Sequence, residues 1–243
     1  MRYTLYRRNR NGGFDMSERS TINSVDEMLS LMKEKIYAQQ GSIMAYIANI
    51  PQQVFSNDVI GSCIQDWLPA WFEDNNVNLT ANNKTQCFPD FVAHFDDKDI
   101  PMDIKVWNYG NAAPAFDIAN FDSFYDEVTK NIDKLIAKYI VIGYKTNAHG
   151  FSIEYLDIKN IWEMIGPSTK YPISIQVKRN KPYAIRPVAF HKDNGKAFND
   201  LSKLLDAVAE TRRIFPSQNN SQLSPSTWIK TVKRELVEKG INV

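Results

Sequence analysis

The chain has 243 residues, with 29 Lys+Arg against 28 Asp+Glu, 43% hydrophobic and 12% aromatic. That apolar content with so little net charge excludes a disordered chain and is enough for one sizeable core. No apolar run reaches the ~18 residues that cross a bilayer, and the basic first residues (Arg2, Arg7, Arg8, Arg10) carry no apolar signal segment.

Two cysteines, Cys63 and Cys87, cannot build a disulfide framework, and His94, His149 and His191 show no zinc-ligand spacing. A reducing, bacterial-type cytoplasm is the expected location. Basic residues gather at the N-terminus, at Lys178, Arg179, Lys181, Arg186, His191, Lys192 and Lys196, and again at Arg212, Arg213, Lys230, Lys233 and Arg234. Such local stretches permit a polyanionic partner without demanding one.

In chain order, Ser24 with Glu27 three residues later forms a capping box. It opens a helix with Val25, Met28, Leu29, Met32 and Ile36 on one face, ending near Gly41. Asn57-Asp58 starts a second helix carrying Val59, Ile60, Cys63, Ile64, Trp67 and Leu68, which Pro69 kinks or shortens. An Asn-rich stretch, 74–84, reads as a strand between loops.

Strands follow at 88–95 and 101–107, turning at Asp96–Asp99, then a loop at 107–115. A helix at 123–136 leads to a continuous apolar strand at 138–144, of the kind buried on both faces. A strand at 150–157, a short helix at 158–165, a hairpin turning at Asn180-Lys181 and helices at 196–209 and 227–239 complete the chain. Residues 215–226 form a polar loop. The expected architecture is an α/β (α+β) fold with a central mixed sheet of five to six strands flanked by helices. One domain covers 1–243, with a core at about 55–195 and helical segments at 1–50 and 196–243.

The chemistry lies in Phe88-Pro89-Asp90-Phe91 followed by Met102-Asp103-Ile104-Lys105. Asp103 and Lys105 are two apart on one strand and share a face. If the strands pair through the 96–99 turn, Asp90 joins them at one end of the sheet. Two adjacent carboxylates suit a hard divalent cation such as Mg²⁺. That ion lowers the pKa of a water and polarises a phosphate oxygen, and a neighbouring lysine steadies the hydroxide. These are the parts for in-line hydrolysis of a phosphodiester. The plainer reading is a strand start beside a solvated strand face.

Pro89-Asp90…Asp103-Ile104-Lys105 resembles the signature of the PD-(D/E)xK nuclease superfamily. The order of elements over 55–195 resembles the EcoRV branch of type II restriction endonucleases, and the NlaIV type, which cuts GGNNCC, is the group suggested within it. The resemblance implies a restriction-endonuclease-like fold and a homodimer that cuts double-stranded DNA with Mg²⁺, leaving blunt ends. It also implies a cognate DNA methyltransferase as a functional partner, not a stable complex.

By the same resemblance, Asp90 and Asp103 hold the metal with the Ile104 carbonyl, and Lys105 is the catalytic lysine. Where the family often has a helix-borne Glu, this chain has Gln65, next to Asp66, with Asp58 one to two turns earlier and better suited to capping. Gln65 is either an active-site amide or a plain surface residue. Recognition loops are expected at Asn82, Asn83, Lys84 and Gln86, and at Arg186, His191, Lys192 and Asn194, where amide and cationic groups can read base edges. Asn108 and Tyr109 are expected near the scissile phosphate, with Lys178, Arg179, Arg7, Arg8 and Arg10 as phosphate contacts. The first helix is the guess for the dimer surface. The competing readings are a structure-specific or repair nuclease of the same superfamily, a non-catalytic DNA-binding module on that fold, and a small-molecule enzyme, for which no pocket motif is present.

Overall fold

In this computed structural model the described residues are 22–82, 87–110, 113–193, 195–217 and 221–243. The elements are α1 (Val25–Lys35), β1 (Gln40–Gly41), β2 (Met44–Ile47), β3 (Ile50–Gln53), α2 (Asn57–Asp74), β4 (Leu79–Ala81), β5 (Phe91–His94), β6 (Asp99–Asn108), β7 (Ala119–Asn120), α3 (Phe121–Glu127), α4 (Asp133–Ile136), β8 (Lys138–Asn147), β9 (Gly150–Asn160), β10 (Ile175–Lys178), β11 (Lys181–Ile185), α5 (Leu201–Ile214) and α6 (Pro225–Glu238). The central sheet has six strands in the order β1-β9-β8-β6-β5-β4. It is mixed: β6 and β8 run parallel, and the other neighbours are antiparallel. The expected sheet is therefore present. Separate small sheets join β10, β11 and β7, and β2 with β3.

Alternation along β6 and β8 feeds two cores on opposite faces of the sheet. Met102, Ile104, Ile140, Ile142 and Tyr144 pack with Met28 and Met32 of α1 and Ile60, Ile64, Leu68 and Phe72 of α2. Trp107, Tyr139 and Val141 point the other way, to Phe124 and Tyr125 of α3, Leu204, Leu205 and Val208 of α5 and Trp228 of α6. Tyr125 and Trp228 stack at 4.7 Å, and the indole N–H donates to the Tyr125 carbonyl at 2.7 Å.

Several element boundaries differ from the sequence reading, each for a local reason. The first helix stops at Lys35 rather than near Gly41, because the chain turns through left-handed Ala38 (φ 59°) and enters β1 against β9. Helix α2 runs on through Pro69, since its buried stripe continues to Leu68 and Phe72 on either side of it. The helix read at 123–136 divides into α3 and α4, and the one read at 158–165 is mostly β9 followed by a single 3₁₀ turn, Ile161–Glu163. Helix α5 begins five residues later than read, at Leu201, because Asp200 caps it by accepting the Lys203 N–H at 2.8 Å. The β10–β11 turn sits at Arg179-Asn180, both left-handed (φ 51° and 58°). Strands β1, β2, β3 and β7 had no counterpart in the sequence reading.

Candidate active site

The site lies where β5 stops short of β6. The pair Phe91↔Met102 is the last between them, while β6 continues to Asn108. Past that point the edge of β6 has no strand partner, so the N–H and carbonyl of Ile104 must be satisfied otherwise. The N–H donates to Asp90 Oδ2 at 2.6 Å, and the carbonyl accepts from Gln65 Nε2 of α2 at 2.7 Å. Asp90 follows a cis Phe88-Pro89 bond and directly precedes β5, one step beyond the Phe91↔Met102 pair. That step sets it opposite Asp103, on the same face of the sheet.

Asp103 is only 7% exposed, and Lys105 Nζ lies 2.9 Å from its Oδ2. That oxygen is buried and accepts no aligned hydrogen bond, so the ion pair alone compensates it. Burial, reinforced by Asp103, pushes the Asp90 carboxyl up to about 6. The Ile104 N–H and Lys105 pull it back, and Asp66 pushes slightly upward. Beneath them Tyr139 donates its hydroxyl to the Lys134 carbonyl at 3.0 Å, and burial with the two carboxylates holds it protonated. The structure thus brings Asp90, Asp103, Ile104, Lys105 and Gln65 together.

No group of three His, Cys, Asp or Glu arranged for a metal occurs among the described residues. The donor set on offer is two carboxylates and one main-chain carbonyl. It fits a hard cation, which would offset the burial and the Asp103 repulsion that raise Asp90 and give the buried oxygen of Asp103 a partner besides Lys105. The Ile104 carbonyl has two lone pairs, so one remains for a cation while the other accepts the Gln65 amide.

The residues expected to touch DNA divide into groups. Asn82 donates its side-chain amide to the Pro89 carbonyl at 3.0 Å, and its N–H donates to the Asp90 carbonyl at 2.8 Å, so it braces the approach to the site. Asn108 donates to Asn57 Oδ1 at 3.3 Å, at the start of α2. Tyr109 stacks on Tyr155, and His191 packs edge-on among Tyr109, Tyr155 and Phe190, with Trp107 tilted alongside. Burial lowers the His191 pKa, and its Nδ1 is buried without a partner. Arg186 is ion-paired with Asp117. Lys178, exposed on the β10–β11 hairpin, lies over the Tyr183 ring at 3.5 Å, beside exposed Arg179 in the turn, and Lys192 is exposed next to the aromatic group. Asn83, Lys84, Gln86, Asn194, Arg7, Arg8 and Arg10 lie outside the described residues.

The sequence reading missed that Asp157 and Lys159 face the same side as the site. The sheet register aligns Lys105 with Val141 and Asp157, and Asp103 with Tyr139 and Lys159. Lys159 and Asp157 pair at 2.6 Å. The alternation Tyr155, Asp157, Lys159 was the available signal.

A family model for the NgoBV restriction endonuclease matches residues 20–241, nearly the whole chain. The chain belongs to the NgoBV restriction endonuclease family. Its relatives include the type II restriction enzyme NlaIV of Neisseria lactamica, 30% identical over 186 residues (74% of this chain, 76% of that one). The type II restriction enzyme NgoBV of Neisseria gonorrhoeae is 29% identical over 152 residues (61% of this chain, 85% of that one). The solved NlaIV restriction endonuclease superposes with a TM-score of 0.78 at 26% identity, covering 92% of this chain and 93% of that one. This NgoBV-family chain is therefore a type II restriction endonuclease, acting on DNA, with the fold of its solved relative. No helix among its described residues is long and apolar enough to cross a membrane.

Proposed function

We propose that the chain hydrolyses phosphodiester bonds in double-stranded DNA by Mg²⁺-dependent in-line attack of water at a specific sequence. The observation that carries this reading is the meeting of Asp90, Asp103, Lys105 and the Ile104 carbonyl at the open edge of β6. Asp90, Asp103 and the Ile104 carbonyl would hold Mg²⁺, which supplies the charge that polarises a phosphate oxygen and acidifies a water.

Lys105 Nζ, fixed by Asp103, holds the attacking water by a hydrogen bond and offsets charge as the water loses its proton. Asp90 accepts the Ile104 N–H on Oδ2, which fixes the carboxylate against the strand and leaves Oδ1 outside that bond. Gln65 steadies the Ile104 peptide from the α2 side. Exposed Lys178, Arg179 and Lys192 are candidates to neutralise phosphates, and Asn82 and Asn108 to position the loops that meet the duplex. Action as a homodimer with a central, blunt cut follows the EcoRV-like arrangement, with a methyltransferase of the same specificity protecting host DNA.

The test is incubation of the purified protein with plasmid and long phage DNA, with Mg²⁺, with Ca²⁺ and with EDTA. Discrete Mg²⁺-dependent fragments are expected, and sequencing their ends reports the site, against the GGNNCC expectation, and the cut. Cleavage in EDTA, or of branched or mismatched DNA alone, would overturn the proposal. Ca²⁺, larger and more loosely coordinated, is expected to support binding with little cleavage.

A further inference from the structure

We propose that His191 and Phe190 are positioning residues: they belong to a turn whose exposed Lys192 takes a DNA phosphate, and their buried rings set, through Trp107, where Lys105 stands. The inference rests on the nuclease reading and adds to it how contact with the duplex is felt at the cutting centre.

The turn is built as one stiff piece. Across it, the Phe190 N–H donates to the Val188 carbonyl at 2.8 Å, the Lys192 N–H to the Ala189 carbonyl at 3.0 Å and the Gly195 N–H to the Lys192 carbonyl at 2.8 Å. Both ends are tied to the chain just past β9. The Val188 N–H donates to the Met164 carbonyl at 2.9 Å, and the Phe198 N–H to the Ile165 carbonyl at 2.8 Å. Gly195 permits the tight path, since a Cβ there would lie 2.6 Å from the Ala189 carbonyl oxygen. A segment held at both ends and across its middle moves as a unit, so what its tip meets reaches its base.

The turn has two sides. Lys192 and Asp193 are exposed at its tip. Phe190 and His191 point inward, each with its ring centre 5.9 Å from that of Trp107. Burial, then Lys192, lowers the His191 pKa, so the imidazole is uncharged at neutral pH and leaves the phosphate contact to Lys192. Trp107 stands two residues beyond Lys105 on β6, so the two side chains share a face, about 7 Å apart along the strand. No slack lies beneath the rings, because a Cβ on Gly143 would stand 2.8 Å from Tyr109 and 3.0 Å from Trp107 and Tyr155. A close-packed group passes a displacement on and does not absorb it.

The geometry also supplies a second position for the turn. Among the described residues the Trp107 indole N–H and His191 Nδ1 are both buried without a partner, on neighbouring rings. The indole can only donate, and the Nδ1 of a neutral imidazole protonated on Nε2 can only accept. A small shift of the turn that joins them satisfies both atoms at once. A phosphate held by Lys192 in the shifted position favours that arrangement, and Trp107 carries the change into β6.

The experiment compares wild type, His191→Ala, Lys192→Ala and Trp107→Phe on a plasmid fragment that the wild type cuts once. Affinity is read by gel shift in Ca²⁺, the cutting rate by single turnover in Mg²⁺, and tryptophan emission with and without the fragment. Expected for His191→Ala is a cutting rate about ten- to a hundredfold lower, with affinity within about threefold of wild type. Lys192→Ala should bind more weakly, with its salt dependence reduced by about one ion. The part of the DNA-induced emission change that Trp107→Phe removes should also be missing from His191→Ala and Lys192→Ala. A residue that only stabilised the fold would lower the melt without separating rate from affinity. If His191→Ala or Trp107→Phe misfolds, His191→Phe, which keeps a ring and removes the acceptor, or Trp107→Tyr is measured in its place. An unchanged rate, a loss of rate matched by loss of affinity, or a Trp107 emission change that is absent from wild type or persists in the folded His191 variant overturns the proposal. A wild type that cuts no duplex sinks the nuclease reading and this proposal together, whereas a cutting wild type with an indifferent His191 variant sinks this proposal alone.

Discussion

Gln65 Nε2 donates to the carbonyl oxygen of Ile104 at 2.7 Å, joining the middle of α2 to the strand that carries Asp103 and Lys105. A neutral amide thus bonds to the carbonyl proposed above as a cation ligand. With a carboxylate there instead, the carbonyl would face repulsion without a cation and gain a shared partner with one. Gln65→Glu is expected to be less stable in EDTA than wild type and to gain more thermal stability on adding Mg²⁺. Melting curves across a Mg²⁺ series check this, and parallel shifts in the two proteins would refute it.

Asp90→Asn and Asp103→Asn each remove half of the paired carboxylates while preserving shape. Cleavage is expected to fall by at least about a thousandfold in either, on the scale of an essential electrostatic group, with DNA binding retained in gel shifts. Lys105→Ala is expected to lose roughly a hundred- to ten-thousandfold. Cleavage at normal rate by any of the three would remove that residue from the mechanism.

Asp90 also links activity to stability. Its carboxyl is raised from 3.8 to about 6 in the fold. The native state therefore holds the proton more tightly than the unfolded chain, and the metal-free protein loses stability as pH rises from about 4 to about 6. The loss is on the order of 1–2 kcal/mol after allowance for solvent screening. Asp90→Asn, which can still accept the Ile104 N–H, is expected to melt higher at pH 7.5 in EDTA. Its stability should also be flatter between pH 4 and 7 than that of wild type. Equal slopes in the two proteins would contradict the assignment.

Gly143 sits in β8 beneath the aromatic group. A Cβ there would lie 2.8 Å from Tyr109 Cδ2 and 3.0 Å from Trp107 and Tyr155 atoms. Gly143→Ala is expected to cost about 1–3 kcal/mol by overpacking and to disturb the loop after β6. A denaturant titration with an unchanged midpoint would show that the rings move aside freely.

Much of this was legible because alternation is a strong signal. The strands around Asp90 and Asp103 and the buried strand after them announce themselves in 88–107 and 138–144, and the short 96–99 turn leaves them one way to pair. The convergence of Asp90, Asp103 and Lys105 follows from that pairing. Other features depended on distant partners. Nothing local in 36–57 shows that the chain leaves α1, pairs with β9 and rises as a hairpin, since its turn uses Ala48-Asn49 without a glycine. Pro69 was expected to kink or shorten α2, but the helix runs on to Asp74 because the buried contacts of Leu68 and Phe72 outweigh one missing backbone hydrogen bond. His191, expected to contact bases, packs among Tyr109 and Tyr155 from two other segments of the chain and its own neighbour Phe190, a setting that depends on distant partners.

Strand β6 divides its labour by parity. Its even residues Met102 and Ile104 are sunk in the core against α1 and α2, with Val106 packed beside them, and they lock the strand's register. Its odd residues Asp103 and Lys105 carry the proposed chemistry and stand outside the apolar clusters that make that lock. Single replacements at the odd positions can therefore yield a folded chain that has lost its cutting activity, whereas inserting or deleting one residue within the strand would exchange the two rows and destroy both at once. A lineage on this fold can fall silent by one codon while keeping its shape, and the even row is where a lasting constraint on the gene should be written.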